Sequence, residues 1–169
     1  ILILLTFGLG QDYSLSFDGN NDYVFVAEGE NVFNINNSLT MSAWININEW
    51  KWMVVFDGSS SASNAPERNA GFRLELLENG LLTVRVGIGV EAPESILYSI
   101  STIPISQWIY ISAVRSGSVL QLYINGQLDA EKTDLSTNDI SYDGGEYEGD
   151  LYKIGCHSDI HNPQGLYYF

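Results

Sequence analysis

Leu39-Thr40-Met41-Ser42-Ala43-Trp44-Ile45-Asn46-Ile47 is the stretch on which the fold turns. Apolar and polar residues alternate through it. Met41, Ala43, Ile45 and Ile47 fall on one side, and Ser42, Trp44 and Asn46 on the other. Successive side chains of a strand point to opposite faces, so a period of two predicts a strand. One apolar and one polar face predict a sheet with a core on one side and solvent on the other.

The same alternation recurs in both directions, broken by Gly, Asn, Asp and Ser, and no stretch has helical spacing. Upstream, residues 14–17 and 23–26 predict strands around the turn Asp18-Gly19-Asn20-Asn21-Asp22, and 27–38 a polar loop. Downstream, residues 50–57 predict a strand rich in Val, Trp and Met, and 58–70 a loop of small residues. Residues 71–77 and 81–87 predict a hairpin closed by Asn79-Gly80, a pair able to take positive φ. Residues 94–99 predict a further strand, and 108–115 with 118–124 a second hairpin across Ser116-Gly117. Asn125-Gly126 turns into 127–131, the acidic stretch 133–149 predicts an exposed loop, and 151–154 and 166–169 predict late strands. About a dozen short strands without a helix predict an all-β sandwich or barrel.

The 169 residues suffice for one domain with a sizeable core. Hydrophobic residues at 45% exclude a disordered chain. A formal net charge of −14 argues against nucleic-acid binding, which needs a basic face. It suits a secreted or cell-surface protein and supplies carboxylates for a cation such as Ca²⁺. Cys156 is the single cysteine, so neither an intrachain disulfide nor a multi-cysteine metal site can form. Within Lys153-Ile154-Gly155-Cys156-His157 it reads as buried packing, with a reactive nucleophile as the sharper alternative.

The chain opens on Ile1-Leu2-Ile3-Leu4-Leu5-Thr6-Phe7-Gly8-Leu9-Gly10-Gln11, an apolar run followed by small residues. This reads as the rear half of a signal peptide, with residues 1–10 as its remnant and 11–169 as the domain; a first core strand is the other reading. The run is too short to cross a bilayer, and no other stretch approaches the ~20 apolar residues required, so no membrane insertion is expected.

Three segments carry a resemblance. Ser14-Leu15-Ser16-Phe17-Asp18-Gly19-Asn20-Asn21-Asp22-Tyr23-Val24 resembles the opening of laminin-G-like domains in the concanavalin A-like lectin/glucanase superfamily. Leu39-Thr40-Met41-Ser42-Ala43-Trp44-Ile45 resembles their next signature strand. Ser106-Gln107-Trp108-Ile109-Tyr110-Ile111-Ser112-Ala113-Val114-Arg115, continuing to Leu122-Tyr123-Ile124-Asn125-Gly126, resembles their Trp-containing hairpin, and Tyr152-Lys153-Ile154-Gly155 fits the same order. The resemblance implies a jelly-roll of two antiparallel sheets, one concave. The family often has His where Tyr110 stands, and usually closes with a Gly-x-Ile-Asp-Glu-type strand that does not follow Phe169 here. The C-terminus is therefore expected to be incomplete, leaving one sheet with an unpaired edge.

Glycan binding is the first chemistry to weigh, because sugar C–H faces stack on aromatic rings while hydroxyls pair with polar side chains. Trp44, Trp50, Trp52 and Arg73 are the candidates. Alternation separates Trp44 from the apolar face of its strand, so it can line the concave sheet near Trp52 or Arg73. Trp44 and Trp108 also sit in signature strands, where the core is the favoured place for a tryptophan. Trp50 is the better candidate for exposure.

Calcium is the expected cofactor, because the superfamily resemblance favours it and it takes several oxygen ligands. Asp18, Asn20, Asn21 and Asp22 form one cluster, and Asp139, Asp143, Glu146, Glu148 and Asp150 another. Such residues are also ordinary turn formers. His157, Asp159 and His161 offer a weaker zinc set. The hydrolases of the superfamily show Glu-x-Asp-x-x-Glu, which is absent; Glu146-Tyr147-Glu148-Gly149-Asp150 is nearest to it and reads as a loop margin.

The expectation is therefore a secreted, non-catalytic recognition module binding extracellular carbohydrate, calcium-assisted, within a larger multidomain protein. A protein–protein adhesion module of a surface protein is the first alternative and a glycoside hydrolase the second.

Overall fold

The computed structural model describes residues 14–18, 22–26, 36–58, 70–88, 95–140, 152–157 and 167–168. Every regular element among them is a strand: β1 (Val24–Val26), β2 (Ser38–Ile45), β3 (Met53–Asp57), β4 (Ala70–Leu76), β5 (Leu81–Ile88), β6 (Ser95–Thr102), β7 (Ile109–Ser116), β8 (Val119–Ile124), β9 (Gln127–Lys132), β10 (Tyr152–Ile154), β11 (Cys156–His157) and β12 (Tyr167–Tyr168). They form a six-stranded sheet of order β1-β10-β3-β4-β5-β6 and a four-stranded sheet of order β2-β7-β8-β9, all paired antiparallel. The two sheets make the expected jelly-roll sandwich. A short β11-β12 pair adds to it.

The period of two decides what lies between the sheets. Met41 and Ile45 of β2, Ile109, Ile111 and Ala113 of β7, and Leu120 and Leu122 of β8 face Leu74 and Leu76 of β4 and Leu82, Val84 and Val86 of β5. Five of these twelve residues are Val or Ile, as suits a pleated, closely packed surface. Fully burying each such side chain stabilises by about 1.5–3 kcal/mol, and this core is the main favourable term.

The turns follow local chemistry. The hairpin between β4 and β5 closes with Gly80 N–H donating to Leu77 O at 2.9 Å, and Gly80 takes φ +80°. Its partner Asn79 stays at negative φ and instead accepts Leu81 N–H through Oδ1 at 3.2 Å. Between β8 and β9, Asn125 and Gly126 both have positive φ, the two-residue hairpin solution.

Three irregularities place side chains that alternation alone misplaces. The β3–β4 register shifts between Val54 and Phe56, so Val55 is an extra residue. Met53, Val55 and Phe56 then all face the core, and Asp57 is turned outward opposite Arg73. A second shift lies between Leu81 and Thr83, where the Ser99 hydroxyl fills the gap by accepting Leu82 N–H at 2.9 Å. A third, between Leu122 and Tyr123, makes room for Asp129. Its carboxylate accepts Ile100 N–H at 2.6 Å, so the edge of β6 is capped by a residue of the other sheet.

Two expectations need correction. Residues 14–18 carry no strand ladder, although Phe17 is anchored: its ring lies over Gly155, where an added Cβ would approach it to 2.6 Å. Core places for Trp44 and Trp108 are not found either, since they are 63% and 52% exposed. Trp44 points to the solvent side of β2, and Trp108 precedes the first inward residue of β7, Ile109. Cys156 is buried, as expected of packing, and burial pushes its thiol upward. The signal-peptide reading of 1–10, Asn20, Asn21, Asp143, Glu146, Glu148, Asp150, Asp159 and His161 lie outside the described residues.

Candidate ligand-binding face

The side of the six-stranded sheet that faces away from the core is charged. Cross-strand register places Lys153 of β10 beside Asp57 of β3, Asp57 beside Arg73 of β4, and Arg73 beside Arg85 of β5. One pleat along, Glu75 of β4 sits between Val54 and Thr83. Asp57, Glu75, Thr83 and Lys153 are all buried. Burying charges costs several kcal/mol per ion unless they are paired, so this concentration must be internally compensated.

Glu75 is the hub of that compensation, with 0% of its surface exposed. Its Oε1 accepts from Arg85 Nε, its Oε2 accepts from the Trp52 indole Nε1–H at 2.9 Å, and Arg73 NH1 lies 3.6 Å from the same Oε2. Arg73 Nε also lies 3.6 Å from Asp57 Oδ1. Beyond Asp57, the Lys153 ammonium is held below its usual range by desolvation, partly offset by the Asp57 charge. The Thr83 hydroxyl, fully buried between Glu75 and Tyr98, meets no hydrogen-bond partner among the described residues.

At the β4–β5 turn this network reaches solvent. Trp52, Arg85, Leu77, Glu78 and Asn79 line a depression of about 530 Å³. Trp52 is half-buried, and its N–H is committed to Glu75, which fixes the ring plane. Arg85 is fixed by the same carboxylate. Glu78 and Asn79 stand exposed on the rim. An aromatic face, a guanidinium, a carboxylate and an amide thus meet around one hollow, and the first two are locked before any ligand arrives.

The four residues singled out in the sequence do not form one site. Trp52 and Arg73 converge on Glu75. Trp50, although 45% exposed, is a structural residue: its Nε1–H donates to Ile103 O at 2.8 Å, and its ring covers Gly80. Trp44 belongs to the other sheet and cannot line this face. It pairs with Tyr110, ring centroids 5.4 Å apart and planes tilted by 48°, and with Trp108, Leu15 and Phe17 it borders a mainly apolar depression of about 750 Å³. Glu75, Asp57 and Arg85 were not legible as site residues, because a lone charge in a strand pattern reads as a solvated face.

The described part of the calcium clusters does not by itself fit a calcium ion. Asp22 Oδ2 accepts Asp18 N–H at 3.0 Å, closing the turn, and no group of three or more His, Cys, Asp or Glu is placed to hold a metal among the described residues.

A family model described as the concanavalin A-like lectin/glucanases superfamily, Laminin_G_3, matches residues 18–155. No curated protein matches the chain. Among solved structures, the CBM40 of the Ruminococcus gnavus IT-sialidase bound to α2,3 sialyllactose is 14% identical, with a TM-score of 0.57 over 80% of this chain and 69% of that one. Domains LG4-5 of the mouse laminin α1 chain are 15% identical, with a TM-score of 0.60 over 90% of this chain and 37% of theirs. A heptameric SAP-like pentraxin from Limulus polyphemus is 20% identical, with a TM-score of 0.52 over 79% of this chain and 58% of its own. At such identities the likeness is one of fold. The match across residues 18–155 is what assigns the family: the chain belongs to the laminin G type of the concanavalin A-like lectin/glucanases superfamily.

Proposed function

We propose that this chain is a non-catalytic, extracellular recognition module that binds carbohydrate in the depression lined by Trp52 and Arg85. The observation that carries the reading is the double grip of buried Glu75 on the Trp52 indole and the Arg85 guanidinium. A sugar ring stacks its C–H face on a tryptophan held in one plane, and its hydroxyls or a carboxylate pair with Arg85, Asn79 and Glu78. Holding the wall in advance removes the ordering cost that a flexible tryptophan and arginine would pay on binding. A carbohydrate-binding module solved with a sialylated trisaccharide has the same fold, which supports the reading without assigning the sugar.

The two buried carboxylates of this face among the described residues, Asp57 and Glu75, both form ion pairs with Arg73. This suits a supporting network better than the acid and nucleophile of a glycosidase, which must be free to exchange protons with substrate. The apolar depression beside Trp44 favours a second reading, an adhesion module that docks a protein there.

Calcium assistance is expected from the family resemblance, with Asp18 and Asp22, joined by a hydrogen bond, as the described residues nearest to a ligand set. A glycan array probed with calcium and with chelator tests both parts. The expected result is binding to a restricted set of glycans, weakened by chelation. Binding to no glycan in either condition contradicts the carbohydrate reading, and equal binding in both removes the calcium.

A further inference from the structure

A third hollow lies on the far side of the connection between β2 and β3, and it shares Trp108, Asn46, Leu15 and Phe17 with the apolar depression beside Trp44. Asn46, Asn48, Glu49 and Lys51 form one wall, Asp18 and its neighbours in 14–18 another, and Trp108 closes it, with a volume of about 430 Å³. Lys51 and Trp52 are consecutive, yet Lys51 lines this hollow and Trp52 the depression on the six-stranded sheet. One connecting segment thus serves two separate hollows.

Trp108 is held in place by backbone. Ser106 adopts φ +59°, a left-handed conformation that costs a non-glycine residue on the order of 1 kcal/mol. Its N–H donates to Ile47 O at 2.7 Å, which ties the segment before β7 to the segment after β2, and Trp108, Asn46 and Asn48 line the same hollow. The indole of Trp108 is 52% exposed, and its N–H meets no acceptor among the described residues. Trp50 and Trp52, by contrast, both spend theirs inside the protein.

We infer that this rim hollow is a second saccharide subsite, selective for neutral sugars. Trp108 offers a stacking face with an unused donor at its edge. Asn46 and Asn48 each offer a donor and an acceptor, the pattern that reads vicinal hydroxyls. The charge decides the class of sugar. Among the described lining residues the carboxylates of Asp18 and Glu49 outnumber the ammonium of Lys51, which lies 3.4 Å from Glu49, so the hollow has a negative balance that disfavours an anionic sugar. The inference stands apart from the Trp52 depression and holds or fails without it.

The test is a titration of ¹⁵N-labelled protein followed at the four tryptophan indole N–H signals, assigned by single Trp→Phe variants. The probes are lactose, cellobiose and maltose, with 3′-sialyllactose as the anionic comparison. The expected result is a saturable shift of the Trp108 signal with at least one neutral disaccharide, a weaker response to 3′-sialyllactose, and binding about fivefold weaker in Asn48→Ala, equivalent to one lost hydrogen bond. Asn48 is exposed, so this variant keeps the fold. A Trp108 signal that no neutral disaccharide moves overturns the inference, as does a shift unchanged in Asn46→Ala and Asn48→Ala. An equal response to 3′-sialyllactose overturns the assignment to neutral sugars. The Trp52 signal reports separately on the other depression: Trp108 moving without Trp52 supports this subsite alone, and Trp52 moving without Trp108 overturns it alone.

Discussion

The Trp52 indole donates a 2.9 Å hydrogen bond to Glu75, a carboxylate with no exposed surface that also binds Arg85 and neighbours Arg73. A negative charge enclosed in this way is stable because several donors share it. Replacing Glu75 by Ala removes the acceptor that Arg85 and the Trp52 indole share and one of the two carboxylates paired with Arg73, and a loss of about 3 kcal/mol in urea unfolding is expected. Glu75→Gln keeps an acceptor and the shape, so a loss of about 1–2 kcal/mol is expected. A Glu75→Ala loss below that of Glu75→Gln contradicts the hub.

Trp50 and Gly80 form a structural pair. A Cβ on Gly80 would come within 2.7 Å of the Trp50 ring, and Gly80 has φ +80°. Gly80→Ala is expected to cost roughly 2–3 kcal/mol, combining left-handed strain with displacement of the ring. Trp50→Phe loses the bond to Ile103 O and is expected to cost about 1–2 kcal/mol. Thermal unfolding of the two variants and their combination checks the pairing. In the double variant the costs fall short of their sum if the ring and the glycine share one contact.

Asp129 caps the exposed edge of β6 through Ile100 N–H and Ser101 N–H. Asp129→Ala is expected to cost about 1–2 kcal/mol and to raise aggregation on storage, because an uncapped edge offers its backbone to other chains. Light scattering of the variant against the parent protein checks this, and an unchanged aggregation rate contradicts the capping role.

Lys153 gives the pH dependence. Desolvation lowers its folded pKa below the ordinary 10.5, so the unfolded chain holds this proton more tightly. Stability contributed at this position therefore rises with pH from the lowered folded value up to 10.5, the reverse of a lysine that gains a partner. Lys153→Met removes the titration. The stability of the parent protein relative to Lys153→Met, from urea unfolding across alkaline pH, is expected to increase with pH. A difference that falls with pH contradicts the stated direction.

The sandwich was legible because it rests on alternation. Met41, Ile45 and Ile47 lie in the core on the face that the period assigns them, and both Asn-Gly turns lie where expected. The charged face was not legible, and β3 shows why. Alternation alone puts Asp57 on the side of Met53 and Val55, and only the extra residue at Val55 turns it out toward Arg73. A bulge is a matter of register against a partner strand, which a single strand's sequence does not record. The tryptophans divide for a similar reason. Residue type alone does not say whether an indole N–H finds Glu75, Ile103 O or solvent, and that decides whether Trp52, Trp50 and Trp108 are wall, prop or platform.

The proposed carbohydrate site lies where Glu75 holds Trp52 and Arg85. Isothermal titration of the best glycan from an array into the parent protein, Trp52→Phe, Glu78→Ala and Trp44→Ala tests it most directly. Affinity is expected to fall about tenfold with Trp52→Phe, which alters the stacking face and its anchor, and to fall less with Glu78→Ala. No change is expected with Trp44→Ala, on the opposite sheet. Affinity unaltered by Trp52→Phe and abolished by Trp44→Ala would place the ligand on the other sheet and rule out the Trp52 site.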